Sequence, residues 1–126
     1  MVGLSAIGAL AVAAGAVVGA WFRWLFAMLL NQPGAPIPAG TLAANLIGGL
    51  LVGMAMAWFE AHPSAHPAWR LFAVTGFLGA LTTFSTFSAE SLALVQRGAW
   101  LAAFGHSAAH LLGCLLAAAL GFRLLR

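Results

Sequence analysis

The middle of the third apolar stretch of the chain reads Gly76-Phe77-Leu78-Gly79-Ala80-Leu81-Thr82-Thr83-Phe84-Ser85-Thr86-Phe87-Ser88. Glycine destabilises a helix by about 1 kcal/mol relative to alanine, and serine and threonine hydroxyls compete for backbone hydrogen bonds. The segment is therefore predicted to interrupt a helix. The alternative is a continuous helix whose hydroxyls bond their own i−4 carbonyls, and the density of the cluster favours the break. Broken backbone at membrane depth must be buried in protein or line a cavity.

The composition around this segment predicts a membrane protein. Of the 126 residues, 63% are hydrophobic and 6% are charged, whereas soluble domains carry about 25% charged residues. Five arginines and two glutamates are too few for nucleic-acid binding. The single cysteine excludes an intrachain disulfide, and no CxxC or Cys/His metal spacing occurs. No nucleophile–base pair or phosphate loop indicates an enzyme, and no organic cofactor is expected.

Charged residues and prolines divide the chain into four apolar spans, at about residues 4–30, 38–59, 70–97 and 100–122. Each is long enough for a transmembrane helix, which needs about 20 residues. The first 22 residues carry no charged side chain, so the basic start of a secretory signal is missing and the first span is expected to be retained. The prediction is an all-α membrane protein whose residues 1–126 form a single domain of four transmembrane helices, the third broken near its middle.

The arginines give little orientation signal. Four spans place Arg70, Arg123 and Arg126 on one side of the membrane, and leave Arg97 and Arg23 nearer the other. Excess positive charge on one side is the main determinant of orientation. A split of three against two predicts that the chain inserts both ways round; a fixed orientation set by another feature is the alternative.

Two polar residues lie at similar depth in the first two spans. Arg23 is about two turns before the end of the first span, and Asn45 about two turns after the start of the second, which puts both roughly 10 Å below the same membrane face. Thr41 and Asn45 share one helix face. Together they predict a cationic, amide-lined opening. Alternatively, Arg23 snorkels to the headgroups and Asn45 bonds a neighbouring helix.

The third span presents two further faces. Phe84 and Phe87 are three residues apart, and their electropositive ring edges could hold a small anion, although a phenylalanine pair at this spacing is more often core packing. Thr83, Thr86 and Glu90 form a second, polar face. Glu90 is the only acid within a span; a carboxylate would repel an anion, so Glu90 is expected to lie off the anion path, protonated or hydrogen-bonded.

A stripe on the fourth span repeats every four residues as His106, His110 and Cys114. It predicts a face toward a watery cavity or a subunit contact. No third strong metal ligand occurs in the stripe, which argues against zinc binding. The pairs Gly15-xxx-Gly19 and Gly49-xxx-Gly53 predict close helix packing.

Three motifs resemble the Fluc family of bacterial fluoride channels, also called CrcB, over nearly the whole chain. They are Gly15-Ala-x-x-Gly19-Ala-x-x-Arg23, Gly40-Thr41-Leu42-x-x-Asn45-x-x-Gly48 and the Gly76–Phe87 segment. The last is the most specific. The resemblance implies a passive channel that selects fluoride against chloride and exports it from the cytoplasm. It also implies an antiparallel, dual-topology homodimer with two pores in the bacterial inner membrane.

The resemblance also implies roles for individual residues. Phe84 and Phe87 would offer ring edges to fluoride, Asn45 its amide, and Arg23 an attraction for anions at the vestibule. The further residues implied along the ion path are Thr41, Thr83, Ser85 and Thr86. Backbone carbonyls of Gly79 and Thr82 from both subunits would hold a structural sodium ion.

Three buried polar residues complete the expected site. Glu90 would lie near the ion path. His106 stands where some members of the family carry tyrosine, and Cys114 where serine or threonine commonly lines the polar track. These departures leave the detail of ion coordination open.

Two other functions compete with the channel. Small multidrug exporters are also short, four-spanned and dual in topology, but they need an acid in the first span, and this chain has none there. A non-transporting assembly subunit would leave the glycine and hydroxyl cluster unexplained.

Overall fold

Five helical segments form four rods in the computed structural model, which describes residues 5–126. We label them α1 (Ala6–Leu30), α2 (Ala39–Ala61), α3 (residues 67–81), α4 (Phe84–Gln96) and α5 (Trp100–Leu125). Segments α3 and α4 are the two halves of the third rod. All four rods are long and apolar enough to cross a membrane, which confirms the predicted all-helical, four-span fold. The predicted start of the first span at residue 4 lies outside the described residues.

The first two rods are joined by a loop fixed to the start of α2. Pro38 precedes α2 and offers no side-chain cap. Instead, Asn31 Oδ1 accepts a hydrogen bond of 2.7 Å from the backbone N–H of Gly40. Gly34 within the loop has φ +81°, a conformation that glycine adopts without steric penalty.

Glycines bring α1 against α3. A Cβ on Gly15 would overlap the carbonyl oxygen of Phe72, and one on Gly19 would overlap that of Phe77. From the other side, a Cβ on Gly76 would lie 2.6 Å from the carbonyl oxygen of Val12. Residues Leu71–Leu78 of α3 wind as a π-helix, a rare geometry often found at functional sites.

Another set of glycines brings α2 against α5. A Cβ on Gly49 would lie 2.9 Å from the carbonyl oxygen of Cys114, and one on Gly53 would overlap that of Ala118. Both predicted Gly-xxx-Gly pairs therefore serve close helix packing, as expected from residues that let backbones approach in lipid.

The third rod breaks at two threonines, which confirms the predicted interruption. Thr82 and Thr83 have extended backbone conformations, with φ/ψ of −86°/154° and −149°/115°. Gly79 remains helical at φ −62°. The hydroxyl of Thr83 then caps α4 by accepting a 3.1 Å hydrogen bond from the backbone N–H of Thr86. Gly76 serves the contact with α1, and the β-branched threonines form the break.

The interior contains polar side chains beside a small apolar core of Ala44, Leu78 and Leu81. Thr41, Asn45, His106 and His110 are all buried, and the outer faces carry exposed large apolar side chains such as Leu101. Buried polar groups and exposed apolar ones are expected when lipid is the solvent, because intramembrane polar groups face the protein interior.

Candidate functional site

Asn45 braces the break from α2. Its Oδ1 accepts a 2.7 Å hydrogen bond from the backbone N–H of Thr83, and its Nδ2 donates a 3.0 Å bond to the carbonyl of the same residue. In a continuous helix that N–H would bond the carbonyl of Gly79. Asn45 therefore satisfies backbone groups that the break releases, which agrees with the alternative that it bonds a neighbouring helix.

Arg23 braces the break from α1. Its Nε donates a 2.9 Å hydrogen bond to the carbonyl of Ala80, whose partner in a continuous helix would be the amide of Phe84. Part of the guanidinium is thus engaged at the break, and the side chain is half-buried.

The second amide proton of Asn45 meets a histidine. Asn45 Nδ2 lies 3.0 Å from His110 Nδ1. Because an amide nitrogen can only donate, His110 Nδ1 accepts this bond. Sequence reasoning placed His110 on a stripe without linking it to Asn45; the four-residue repeat indicated its face but not its partner.

The two phenylalanines occupy different environments. Phe84 is 72% exposed, whereas Phe87 is buried, and their rings meet at 5.3 Å between centroids with an interplanar angle of 64°. The Phe87 ring also packs at 4.7 Å from that of His110 and 5.6 Å from that of His106. The aromatic pair thus lies beside the Asn45–His110 hydrogen bond.

A cavity of about 320 Å³, which we call the vestibule, joins Arg23 and Thr41, but not Asn45, of the predicted opening to the polar face of α4. Its polar lining comprises Arg23, Asn31, Thr41, Thr83, Thr86 and Glu90. Thr41 Oγ1 donates a 2.6 Å hydrogen bond to Glu90 Oε1, so the expected hydrogen bond to Glu90 is present. Thr83 Oγ1 donates to Thr86 Oγ1 at 3.0 Å.

A second cavity of about 450 Å³, which we call the groove, lies on the other side of the break and is largely apolar. Residues lining it include Gly79, Thr82, Thr83, Asn45, Phe84, Phe87, His110 and Cys114. Thr83 lines both cavities. Polar groups therefore continue from the vestibule, past the break, into the groove.

The serines of α4 lie at the margin of this arrangement. Ser85 is exposed, and its hydroxyl is 3.3 Å from that of Thr83. Ser88 Oγ donates to the carbonyl of Phe84 at 2.8 Å. The structure brings Ser85 to the end of the hydroxyl run and engages Ser88 in its own helix.

Gly79 and Thr82, on the two sides of Leu81, both line the groove. The carbonyl of Gly79 loses its helical partner because the Thr83 amide bonds Asn45, and Thr82 has extended backbone. Oxygen ligands of this kind are those that freed carbonyls at a helix break offer to sodium. The structural sodium site that the family resemblance implied at these two residues stays a prediction.

His106 and Glu90 meet between the two cavities. His106 is fully buried, and its Nε2 lies 3.3 Å from Glu90 Oε2. Cys114 is half-buried and lines the groove, away from Glu90. The structure thus joins Glu90 to His106, whereas Cys114 shares the groove with His110.

Comparison with known proteins gives one family and close relatives. The model of the family described as "CrcB-like protein, Camphor Resistance (CrcB)" matches residues 10–122. Proteins named "Fluoride-specific ion channel FluC" are similar over most of their length. That of Cupriavidus metallidurans is 55% identical over 91% of each chain. That of Aromatoleum aromaticum is 57% identical over 90% of this chain and 86% of its own, and that of Ralstonia nicotianae is 52% identical over 94% of each.

Proposed function

The chain belongs to the CrcB family, and from that membership we propose that it is a passive channel that exports fluoride and excludes chloride. It is a multi-pass membrane protein and not an enzyme. The relatives carry the name of a fluoride-specific ion channel. We place it in the bacterial inner membrane, where a negative-inside potential drives an anion outward.

One observation carries the proposal: uncharged donors follow one another across the break in the third rod. The vestibule offers the hydroxyls of Thr41, Thr83 and Thr86, and the groove offers the Asn45 amide and two aromatic rings. Fluoride is small and tightly hydrated, so its water must be replaced in steps. Conduction further requires sites weak enough to release the ion, and neutral donors and ring edges meet that requirement better than a fixed cation does.

The Asn45 amide gives fluoride a place to bind. One of its protons holds the Thr83 carbonyl, and the other reaches His110 Nδ1. An arriving anion can replace the histidine as the acceptor of that second proton without undoing the brace at Thr83. The ring of Phe87 packs against His110, so a ring edge lies beside the same position.

A second copy of the chain, in antiparallel orientation, would complete the groove. The groove is open in one protomer and apolar, and Phe84 is largely exposed in it. The near-even arginine split supports insertion in both orientations. Carbonyls of Gly79 and Thr82 from both copies would hold a structural sodium ion, which supplies positive charge between two otherwise neutral surfaces.

Fluoride efflux from liposomes containing the purified protein tests the proposal. Fluoride should leave much faster than from empty vesicles, and chloride should not. Phe87→Ile and Phe84→Ile should abolish or strongly slow efflux. Phe104→Ile is the matched control, because Phe104 is 73% exposed, as Phe84 is, and lies on α5.

Efflux no faster than from empty vesicles, or equal chloride efflux, refutes the channel. Efflux that requires a proton gradient would instead favour the coupled exporter. Tags on the C-terminus should be found on both sides of the membrane; a tag on one side only excludes dual insertion.

A further inference from the structure

Three metal-ligating side chains converge between the vestibule and the groove. Glu90 of α4 and His106 and His110 of α5 each place one ligand atom within 4.8 Å of the others. Both histidines are buried, with 0% and 3% of their surface exposed. Sequence reasoning counted the ligands of the fourth span alone and found too few for zinc; the fold supplies the third from another helix.

Polar atoms of this cluster lack partners. Within the described part of the chain, no hydrogen bond is made by Glu90 Oε2, His106 Nδ1, His106 Nε2 or His110 Nε2, and all four atoms are buried. The 3.3 Å contact between Glu90 Oε2 and His106 Nε2 brings the two groups together without satisfying either. Buried polar atoms are bonded in the great majority of cases, so this cluster offers ligand atoms that no described side chain engages.

We propose that Glu90, His106 and His110 bind a divalent transition-metal ion, with zinc the best match, and that the bound ion blocks fluoride movement. Two imidazoles and one carboxylate form a ligand set that zinc uses, with a fourth position left open. Imidazole ligands suit zinc, copper and nickel, whereas magnesium and calcium prefer oxygen ligands. The binding part of the proposal stands by itself; the block rests on the proposed channel.

The position of the cluster explains how an ion could reach it and what it would obstruct. Glu90 lines the vestibule and His110 lines the groove, so the metal would lie between the two cavities. Thr41 holds Glu90 Oε1, which leaves Oε2 as the ligand. A divalent ion with one carboxylate keeps a net positive charge, and such a charge would retain an anion that neutral donors release.

Metal binding also competes with the Asn45–His110 hydrogen bond. Because Nδ1 accepts from Asn45, neutral His110 carries its proton on Nε2. Ligation through Nε2 moves that proton to Nδ1, where it faces the amide N–H group; ligation through Nδ1 displaces the amide directly. Either mode ends the contact between Asn45 and His110, so the metal would also alter the donor proposed for fluoride.

Direct binding tests the site without relying on transport. We would titrate the detergent-purified protein with zinc and measure bound metal by equilibrium dialysis, and record the visible spectrum of bound cobalt as a probe of coordination geometry. We expect one tight site per chain. Glu90→Gln and His106→Gln should each weaken zinc binding by at least about tenfold, since even loss of an outer-shell partner has that effect.

His62→Gln is the matched control, since this exposed histidine follows α2 outside the cluster. It should bind zinc as the unaltered chain does. In liposomes, micromolar zinc should stop fluoride efflux, a chelator should restore it, and magnesium should have no effect.

Several results would overturn the proposal. The site is excluded if the chain has no tight zinc site. It is also excluded if His62→Gln weakens zinc binding and the two cluster variants do not. Binding that leaves efflux unchanged would exclude the block. Metal-free protein that passes no fluoride would instead refute the proposed function, while the dialysis result would still decide the site.

Discussion

Replacement of Asn45 by alanine should destabilise the protein far more than the few atoms it removes would suggest. The substitution leaves the N–H and the carbonyl of Thr83 without partners, because both bond Asn45 at 2.7 and 3.0 Å. A buried backbone group without a partner costs about 1–3 kcal/mol. Two such groups predict a loss of about 2–6 kcal/mol in the free energy of unfolding.

The matched control is Asn31→Ala. Asn31 makes the same kind of bond, from Oδ1 to the backbone N–H of Gly40 at 2.7 Å, but it is exposed at the end of α1. Water can replace that bond, so the expected loss is about 0.5–1.5 kcal/mol. The contrast between the two variants compares a doubly bonded asparagine at the break with a singly bonded one at an exposed helix end.

Unfolding of the purified variants in mixed detergent, followed by circular dichroism, measures the difference, and fluoride efflux from liposomes is recorded in parallel. Asn45→Ala should lose both stability and efflux. If it loses no more stability than Asn31→Ala, Asn45 does not brace the break. Loss of efflux at full stability would then assign Asn45 to the ion alone.

Two further substitutions test the packing and the cap. Gly15→Ala should lower the midpoint of thermal unfolding, because the added Cβ would overlap the Phe72 carbonyl and overpacking costs about 1–3 kcal/mol. Gly105→Ala is the control and should leave the midpoint unchanged, because the space around Gly105 is open. Equal midpoints for the two variants would contradict the close contact of α1 and α3. Thr83→Val removes the hydroxyl that caps α4 and should lower the free energy of unfolding by about 1 kcal/mol, whereas Thr83→Ser should keep the cap. If the valine variant is as stable as the serine variant, the cap contributes nothing.

The fold was largely predictable because charged residues and prolines separate four apolar spans of sufficient length. The break was also predictable, since its residue types compete with helix formation. The position of the break after Leu81 was not predictable, because Gly76 and Gly79 looked equally able to interrupt the helix. Gly76 instead takes part in a backbone contact with α1, which depends on tertiary packing.

The partners within the site could not be predicted from spacing. Thr41 and Glu90 are 49 residues apart in sequence, and Asn45 and His110 are 65 apart. Depth estimates placed Arg23 and Asn45 near one membrane face but could not show that both contact the same break. Such contacts depend on helix rotation, which the weakly amphipathic composition of these spans leaves undetermined.

The double brace at Thr83 bears on how conduction can be regulated. An interrupted helix often serves as a hinge, but here α2 holds the N–H and the carbonyl of one residue while α1 holds a carbonyl three residues before it. Bending α4 relative to α3 would sever these three bonds together. The joint is accordingly rigid, and an opening and closing motion at this point is not expected. Fluoride flux would then be controlled by the number of channels that the cell makes, or by an ion that blocks the fluoride path.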